Sequence, residues 1–231
     1  MTSVPYRCQT VTHAITAVAR LAMAFIADIE ITDVTFNQEE RRGIIIVANH
    51  ASLLDLIVGL VVFRRWKIAP YIFIRADLLR RPIVGRLYRC IGGIPAGQNN
   101  GVAAIRYGSR VLRDGGILMI MPEGRIPKYG EPIRQLRSLM PGVAYLASAI
   151  GSPILLTGIV NTAAAWPPGS AFPHFHIKRS QRPTIVISTQ WLQVAKRSSK
   201  EEIMLAIEHG LKSVLNKIEP GRDKSTVRRL S

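Results

Sequence analysis

The pattern of apolar and polar residues predicts short buried strands that alternate with helices. Four compact apolar runs, rich in β-branched residues and bounded by turn-forming residues, have the length of buried strands. They occupy residues 44–48, 71–74, 91–96 and 117–121. Strands that alternate with helical patterns are typical of a parallel sheet. The pattern therefore predicts a single α/β domain, with a mostly parallel central sheet flanked by helices.

The second half of the chain continues this pattern after a charged loop at 128–137, which is long enough to be a mobile lid. The stretch 139–177 contains no Asp, Glu, Lys or Arg, but the turn residues 151–153 divide it into two short segments. We predict a buried helix at 143–150, a buried strand at 154–160, a late strand at 184–189 that could lie at the sheet edge, and an amphipathic helix at 201–218.

The N-terminal segment shows helical spacing of apolar residues up to Ile31 and predicts an amphipathic helix, followed by a short strand at 31–36. His13, Arg20 and Asp28 interrupt the segment, so it lacks the roughly 18 uncharged apolar residues of a membrane-spanning helix. Two placements remain open, a helix that packs on the core and a helix that lies in a membrane interface.

Three parts of the chain are distinguished on this basis. Residues 1–36 are a helical segment that faces a membrane, residues 37–218 form the main domain, and residues 219–231 are a basic tail. The composition of the tail predicts a disordered segment that contacts anionic lipid.

The charge of the chain points to an anionic partner. The formal net charge is +16 and the pI is about 10.7, which favours either nucleic acid or an anionic membrane surface. Only 6% of the residues are aromatic, and no aromatic-and-basic platform for stacked bases is evident. A membrane is therefore the favoured partner and nucleic acid the alternative. Cys8 and Cys90 have no metal-ligand spacing and form no disulfide framework, which fits a reducing compartment.

Polar residues that could take part in catalysis or binding follow the carboxyl ends of three predicted strands. His50 and Asp55 follow the first strand, Arg75 follows the second, and Glu123 and Arg125 follow the fourth. The carboxyl ends of parallel strands meet at one edge of a sheet, so these side chains are expected to share a crevice. If Ser52 caps a helix, the Asp55 carboxylate can reach back to His50 and leave its other ring nitrogen as a general base.

Each of these assignments has a simpler alternative. His50 could be an ordinary loop histidine with Asp55 serving only as a cap, and Arg75 could be a solvated surface charge. His174 and His176 would share one strand face and could bind a metal, but no third ligand lies near them in the sequence.

Four ordered blocks resemble those of the glycerophospholipid acyltransferase family, of the lysophosphatidic acid acyltransferase type. They are Asn49-His50-x4-Asp55, Gly92-Gly93-Ile94-Pro95, Pro122-Glu123-Gly124 and Pro153-Ile154-Leu155-Leu156. The resemblance covers residues 44–160, and the spacing of the first and third blocks makes it specific.

The resemblance implies an enzyme on the cytoplasmic side of a membrane. It would move a fatty acyl group from coenzyme A or acyl carrier protein, as co-substrate, to the hydroxyl of a lysophospholipid, without a metal or a bound cofactor. His50 would be the general base and Asp55 would orient it. Glu123 and Gly124 would shape the acceptor pocket, and Pro153 and Ile154 would belong to the acyl-donor side.

Departures from the family pattern concern the acceptor's phosphate. The second block of relatives commonly ends in Asp-Arg, whereas Gly97 and Gln98 stand here, and Gln98 cannot neutralise a phosphate. We expect Arg125, helped by Arg75, to make that contact. The departures leave two rivals to a lysophosphatidic acid acyltransferase, namely a non-catalytic membrane-binding protein of the same fold and an acyltransferase for another lipid acceptor.

Overall fold

The structure, a computed structural model, describes residues 8–32, 43–97, 99–133, 135–195, 198–218 and 228–229. The helices in these residues are α1 (Gln9–Ile26), α2 (Leu54–Arg65), α3 (Ala76–Arg80), α4 (Pro82–Cys90), α5 (Gly101–Arg113), α6 (Gly142–Ile150), α7 (Thr162–Ala165) and α8 (Lys200–Asn216). The strands are β1 (Asp28–Thr32), β2 (Ile45–Ala48), β3 (Tyr71–Arg75), β4 (Gly93–Ala96), β5 (Leu118–Ile120), β6 (Ile154–Val160), β7 (Thr184–Leu192) and β8 (Arg228–Arg229).

The strands form one sheet in the order β4-β3-β5-β2-β6-β7-β1-β8. Strands β2 to β6 all run in the same direction, while β7 is antiparallel to β6 and β1 is parallel to β7. The predicted single α/β domain with a mostly parallel sheet is therefore confirmed. The central predicted strands are also found, and β6 has the predicted bounds.

The core consists of two apolar layers, one on each face of the sheet. Ile44 and Ile46 point into the layer formed with α1 and α2, while Ile45 and Val47 point into the layer formed with α5, α6 and α8. Because both faces are covered, β2 needs apolar residues at every position, and all four are buried. This explains why apolar and polar residues do not alternate in this part of the sequence.

Two sequence-based assignments of strands are wrong. The N-terminal helix ends at Ile26 and the next strand is Asp28–Thr32, so Ile29 belongs to a strand and not to the helix. The strand begins three residues before the predicted 31–36, and residues 33–36 of that prediction lie outside the described residues. Strand β7 is not an edge strand, because it pairs with β6 on one side and with β1 on the other. Its second neighbour comes from the far N-terminal end of the chain, which its own sequence cannot indicate. The predicted domain boundaries after residues 36 and 218 fall within or beside segments outside the described residues.

Helix α1 uses one face for packing and leaves the other exposed. Thr16, Ala19, Met23 and Ile26 are buried, and the helix packs against α2, whereas Val18, Leu21 and Phe25 are exposed. Among the described helices, α1 alone has the length and apolar composition to cross a membrane, a property that core helices also show.

Candidate active site

A crevice forms between the neighbouring strands β2 and β5 at their carboxyl ends. The chain leaves β2 through α2, which packs on one face of the sheet, and it leaves β5 toward α6, which packs on the other face. Connections that depart in opposite directions open a gap between two parallel strands, where α/β proteins commonly bind ligands. His50 follows β2 and Glu123 follows β5, so the two lie at this gap.

His50 and Asp55 are in direct contact. The Nδ1 atom of His50 lies 2.8 Å from Oδ2 of Asp55, and the histidine side chain is 22% exposed while the aspartate side chain is fully buried. The carboxylate accepts the Nδ1 proton, which fixes the tautomer and leaves Nε2 as the nitrogen that can take up a proton. The predicted pairing of these two side chains is therefore found in the structure.

The buried Asp55 carboxylate is held by the backbone of the same turn. Its Oδ2 also accepts hydrogen bonds from the backbone N–H groups of Ala51 (2.7 Å) and Ser52 (2.9 Å). Charge-assisted hydrogen bonds of this kind compensate for the loss of solvent around a buried carboxylate. The turn thus fixes the position of Asp55 before any substrate binds.

Ser52 has a different role from the predicted helix cap. Helix α2 begins at Leu54, with Leu53 at the N-cap position. The Ser52 hydroxyl accepts from the backbone N–H of Leu54 (3.2 Å) and donates to the carbonyl oxygen of Trp166 (2.6 Å). Ser52 therefore joins the turn between β2 and α2, which carries His50, to the loop that follows α7.

Asn49 fixes the end of β2 against β6. Its side-chain amide donates to the carbonyl oxygen of Ile159 (2.9 Å) and accepts from the N–H of the same residue (2.7 Å). The side chain is buried, so it continues the ladder between β2 and β6 by one step where β2 ends. The residue that precedes His50 is thereby immobilised.

Glu123 connects the two sides of the crevice. Its Oε1 accepts the backbone N–H of His50 (2.7 Å), and its Oε2 forms an ion pair with Nη2 of Arg137 (2.7 Å). Both side chains are largely buried, and Arg137 also donates to the carbonyl oxygens of His50 and Arg125. This network holds the backbone of His50 in place.

Arg137 is a site residue that the sequence did not reveal. It lies 14 positions after Glu123 in a charged loop where several arginines have equivalent surroundings in the sequence. The only available signal was that a buried glutamate at a strand end requires a cation, without an indication of which one.

The other predicted acceptor-site residues are placed as follows. Arg125 forms a two-pronged ion pair with Glu131, at 2.7 and 3.1 Å, and Arg75 pairs with Asp77 at 2.9 Å. Both predicted anion-binding arginines are thus bound to carboxylates of their own chain. Gly124 follows Glu123 with a positive φ of 69°, a conformation that favours glycine. Gln98 lies outside the described residues.

Pro153 and Ile154 do not line the crevice. Ile154 pairs with Ile45 at the start of β2, and Pro153 accepts a hydrogen bond from the N–H of Ile45. Five residues of extended chain separate Ile45 from His50, which corresponds to roughly 16 Å. Ile154 is also fully buried, so the arrangement gives the predicted acyl-donor role of these two residues no support.

His174 and His176 do not lie on one face of a strand, as the sequence suggested. They lie in an irregular segment between α7 and β7 rather than in a strand, so alternation does not place them on one side. Among the described residues, no cluster of three or more His, Cys, Asp or Glu side chains is arranged to hold a metal ion.

A cavity of about 350 Å³ adjoins the turn between β2 and α2. Its lining is mainly apolar and includes Ala51, Leu136, Ile159, Ala163 and Leu215, and its polar lining residues are Asn49, Glu123, Gln135, Asn161 and Asn216. A mainly apolar cavity with a few polar groups is typical of a binding site for a molecule with a hydrocarbon part.

A mostly parallel α/β sheet with a histidine–aspartate pair and a glutamate at its carboxyl edge is an arrangement that can support acid–base chemistry. The chain belongs to the acyltransferase family, because the family model described as Acyltransferase matches residues 28–159, more than half of the chain. The resemblance to the glycerophospholipid acyltransferases is thereby confirmed.

A solved structure has a similar fold. The crystal structure of the 1-acyl-sn-glycerophosphate (LPA) acyltransferase, PlsC, from Thermotoga maritima has a TM-score of 0.71 with this chain at 21% sequence identity. The similarity covers 94% of this chain and 83% of the other. No curated protein matches the sequence.

Proposed function

We propose that the protein is an O-acyltransferase that moves a fatty acyl group from an acyl thioester to the hydroxyl of a lysophospholipid such as 1-acyl-glycerol-3-phosphate. The thioester is acyl-coenzyme A or acyl carrier protein. The observation that carries the proposal is the contact between His50 Nδ1 and Asp55 Oδ2, which leaves Nε2 of a partly exposed imidazole available at the crevice.

The proposed reaction needs one base and no enzyme nucleophile. Nε2 of His50 takes the proton of the acceptor hydroxyl, and Asp55 stabilises the imidazolium that results. The oxygen attacks the thioester carbonyl, and collapse of the tetrahedral intermediate forms the ester and breaks the carbon–sulfur bond. The departing thiolate receives the proton from the imidazolium, which restores the neutral base.

The apolar cavity beside Asn49 and Glu123 supports a lipid substrate. Its volume of about 350 Å³ and its mainly aliphatic walls suit part of a hydrocarbon chain, and Asn49 and Ala51 of its lining belong to the turn that carries His50. A chain seated there would bring the hydroxyl near its head group toward His50.

We assign the protein to an anionic membrane surface, because an apolar surface with basic neighbours lies on the same side of the sheet as the site, and the family resemblance favours the cytoplasmic face. This apolar–basic surface comprises Val18, Leu21, Phe25, Phe175 and Ile177, all exposed, and the cations Lys178 and Arg182. The N–H of His176 donates to the carbonyl oxygen of Phe25 (2.7 Å), which joins the loop to α1. Apolar residues flanked by cations are typical of attachment to anionic lipid.

The rival candidate is a membrane-binding protein without activity. It is favoured by the pairing of Arg125 with Glu131 and of Arg75 with Asp77, which leaves neither arginine free to bind a phosphate in this structure. The intact pair of His50 and Asp55 favours the enzyme instead.

The decisive experiment is an assay of the purified protein and its His50→Ala variant with a panel of lysolipids and both thioester donors, with the products identified by mass. We expect loss of the base to lower kcat by a factor of about 10² to 10⁴. Circular dichroism and thermal melting should show that the variant is folded, because His50 is partly exposed and the buried Asp55 carboxylate keeps the backbone N–H groups of Ala51 and Ser52 as donors. A folded His50→Ala protein with full activity would contradict the mechanism.

A further inference from the structure

A second cavity, of about 510 Å³, lies on the other side of Glu123. Its charged lining residues are Glu123, Arg125, Glu131 and Arg137, and its polar ones include Gln135 and Ser138. Among the described lining residues, two carboxylates and two guanidinium groups therefore balance each other. A charged ligand in this cavity would meet both signs of charge in equal number.

The two ion pairs of this cavity differ in their freedom to respond to a ligand. Arg137 and Glu123 are 16% and 3% exposed and hold the backbone of the catalytic turn, so their pairing is part of the scaffold. Arg125 and Glu131 are 43% and 32% exposed, and their pair is accessible from the cavity. A head group that enters the cavity would therefore interact mainly with Arg125 and Glu131.

Glu131 is charged at every pH at which such an enzyme would be assayed. Its carboxylate accepts two hydrogen bonds from Arg125 and one from the backbone N–H of Lys128 (2.9 Å). These contacts, the one with Arg125 above all, lower its pKa to about 2. The negative charge beside Arg125 is thus a permanent feature of the cavity.

This fixed pair has opposite consequences for two kinds of acceptor. A phosphate monoester carries a charge of about −1.5 to −2 at pH 7, so it would have to compete with Glu131 for Arg125 and would be repelled by the same carboxylate. A zwitterionic head group carries a phosphodiester and an ammonium. Its phosphodiester can approach Arg125 while its ammonium approaches Glu131, so each charge meets its opposite.

We propose that the Arg125–Glu131 pair selects a zwitterionic lysophospholipid, with an ammonium and a phosphodiester in its head group, over an acceptor with a phosphate monoester. This proposal rests on the proposed acyl transfer and adds the class of its acceptor. Glu131 is then a specificity-determining residue that discriminates through charge, and it takes no part in the proton transfer.

The test is a comparison of kcat/KM for lysophosphatidylethanolamine, lysophosphatidylcholine and lysophosphatidic acid with the same acyl chain and the same thioester donor. We expect the wild-type protein to prefer the zwitterionic acceptors by about two- to five-fold, the range that one half-exposed charge contact supplies. Glu131→Gln should reduce that preference by a similar factor, mainly through a lower KM for lysophosphatidic acid.

Glu208→Gln is the matched control. Glu208 forms a half-exposed ion pair with Lys212 on α8 at 2.7 Å, so the substitution also removes one carboxylate from a surface ion pair, but away from the cavity. It should leave the acceptor preference unchanged. Wild-type preference for lysophosphatidic acid, or an unchanged preference in Glu131→Gln, would overturn the head-group proposal and leave acyl transfer intact. Absence of product with every acceptor and both donors would instead refute the proposed function.

Discussion

At the scale of single residues, the site depends on buried carboxylates that are held by backbone N–H groups, by His50 and by one distant arginine. Asp55 receives two backbone N–H groups besides the imidazole of His50, and Glu123 receives the His50 N–H and the Arg137 guanidinium. A buried carboxylate that loses its partner retains the full cost of desolvation. The four side chains are therefore coupled to stability as well as to chemistry.

Arg137→Ala should destabilise the fold by about 3 kcal/mol, because Glu123 would become a buried carboxylate without a cation. Urea denaturation gives the change in the free energy of unfolding. The double variant Glu123→Gln/Arg137→Ala removes the unpaired carboxylate and should recover part of the lost stability. Comparison of the double variant with the two single variants then measures the coupling free energy of the pair. Strictly additive effects of the two substitutions would show that the ion pair does not contribute in this way.

At the scale of secondary-structure elements, the turn after β5 sets the direction of the chain at the site. Glu123 must face the crevice while the following residues move away toward Arg137, and Gly124 makes this possible with a φ of 69°. A Cβ atom added at Gly124 would also lie 2.5 Å from Cε of Met140. The backbone conformation therefore opposes any side chain at this position, whereas Met140, which is 50% exposed, can move its terminal methyl group away at little cost.

Gly124→Ala should destabilise the protein by roughly 1–2 kcal/mol, the cost of a left-handed backbone for a residue that carries a Cβ atom. Gly130→Ala is the matched control, because Gly130 has a φ of 83° and no atom within 4 Å of an added Cβ. It should show the same backbone penalty. Thermal unfolding of both variants should therefore give similar losses, and a clearly larger loss in Gly124→Ala would show that the Met140 side chain does not move away freely.

At the scale of the whole molecule, the catalytic edge of the sheet and the apolar–basic surface lie on the same side. Val160 at the end of β6 pairs with Val186 in β7, and Asp28 at the start of β1 pairs with Thr184. The end of α1 and the loop that precedes β7 therefore meet at the edge that carries His50. A bilayer bound to this surface would present lipid beside the crevice.

The double variant Phe175→Asp/Ile177→Asp should bind anionic liposomes at least about ten-fold more weakly than the wild type, because burial of one large apolar side chain is worth roughly 1.5–3 kcal/mol. Co-sedimentation with liposomes measures the affinity, and higher salt should weaken binding of the wild type further. Val102→Asp is the control, since Val102 is 78% exposed but belongs to α5, on the other face of the sheet. Equal losses in both variants would refute the assigned surface.

The sequence by itself determined most of the elements and the pairing of His50 with Asp55. The apolar run of β2 and the largely apolar run of β6 reflect burial on both faces, which is a local requirement visible in any such strand. The pair of His50 and Asp55 was predictable because both belong to one strand–turn–helix unit, where a few residues fix the distance.

Tertiary structure decided which distant residues complete the site. Arg137 reaches Glu123 from the charged loop, β7 lies inside the sheet because the N-terminal strand pairs with it, and Pro153 and Ile154 lie at the far end of β6 from His50. Arg125 is engaged by Glu131 for the same reason, since the loop folds back on itself. These contacts depend on the path of the whole chain, and local patterns of charge and hydrophobicity do not encode which of several similar partners is chosen.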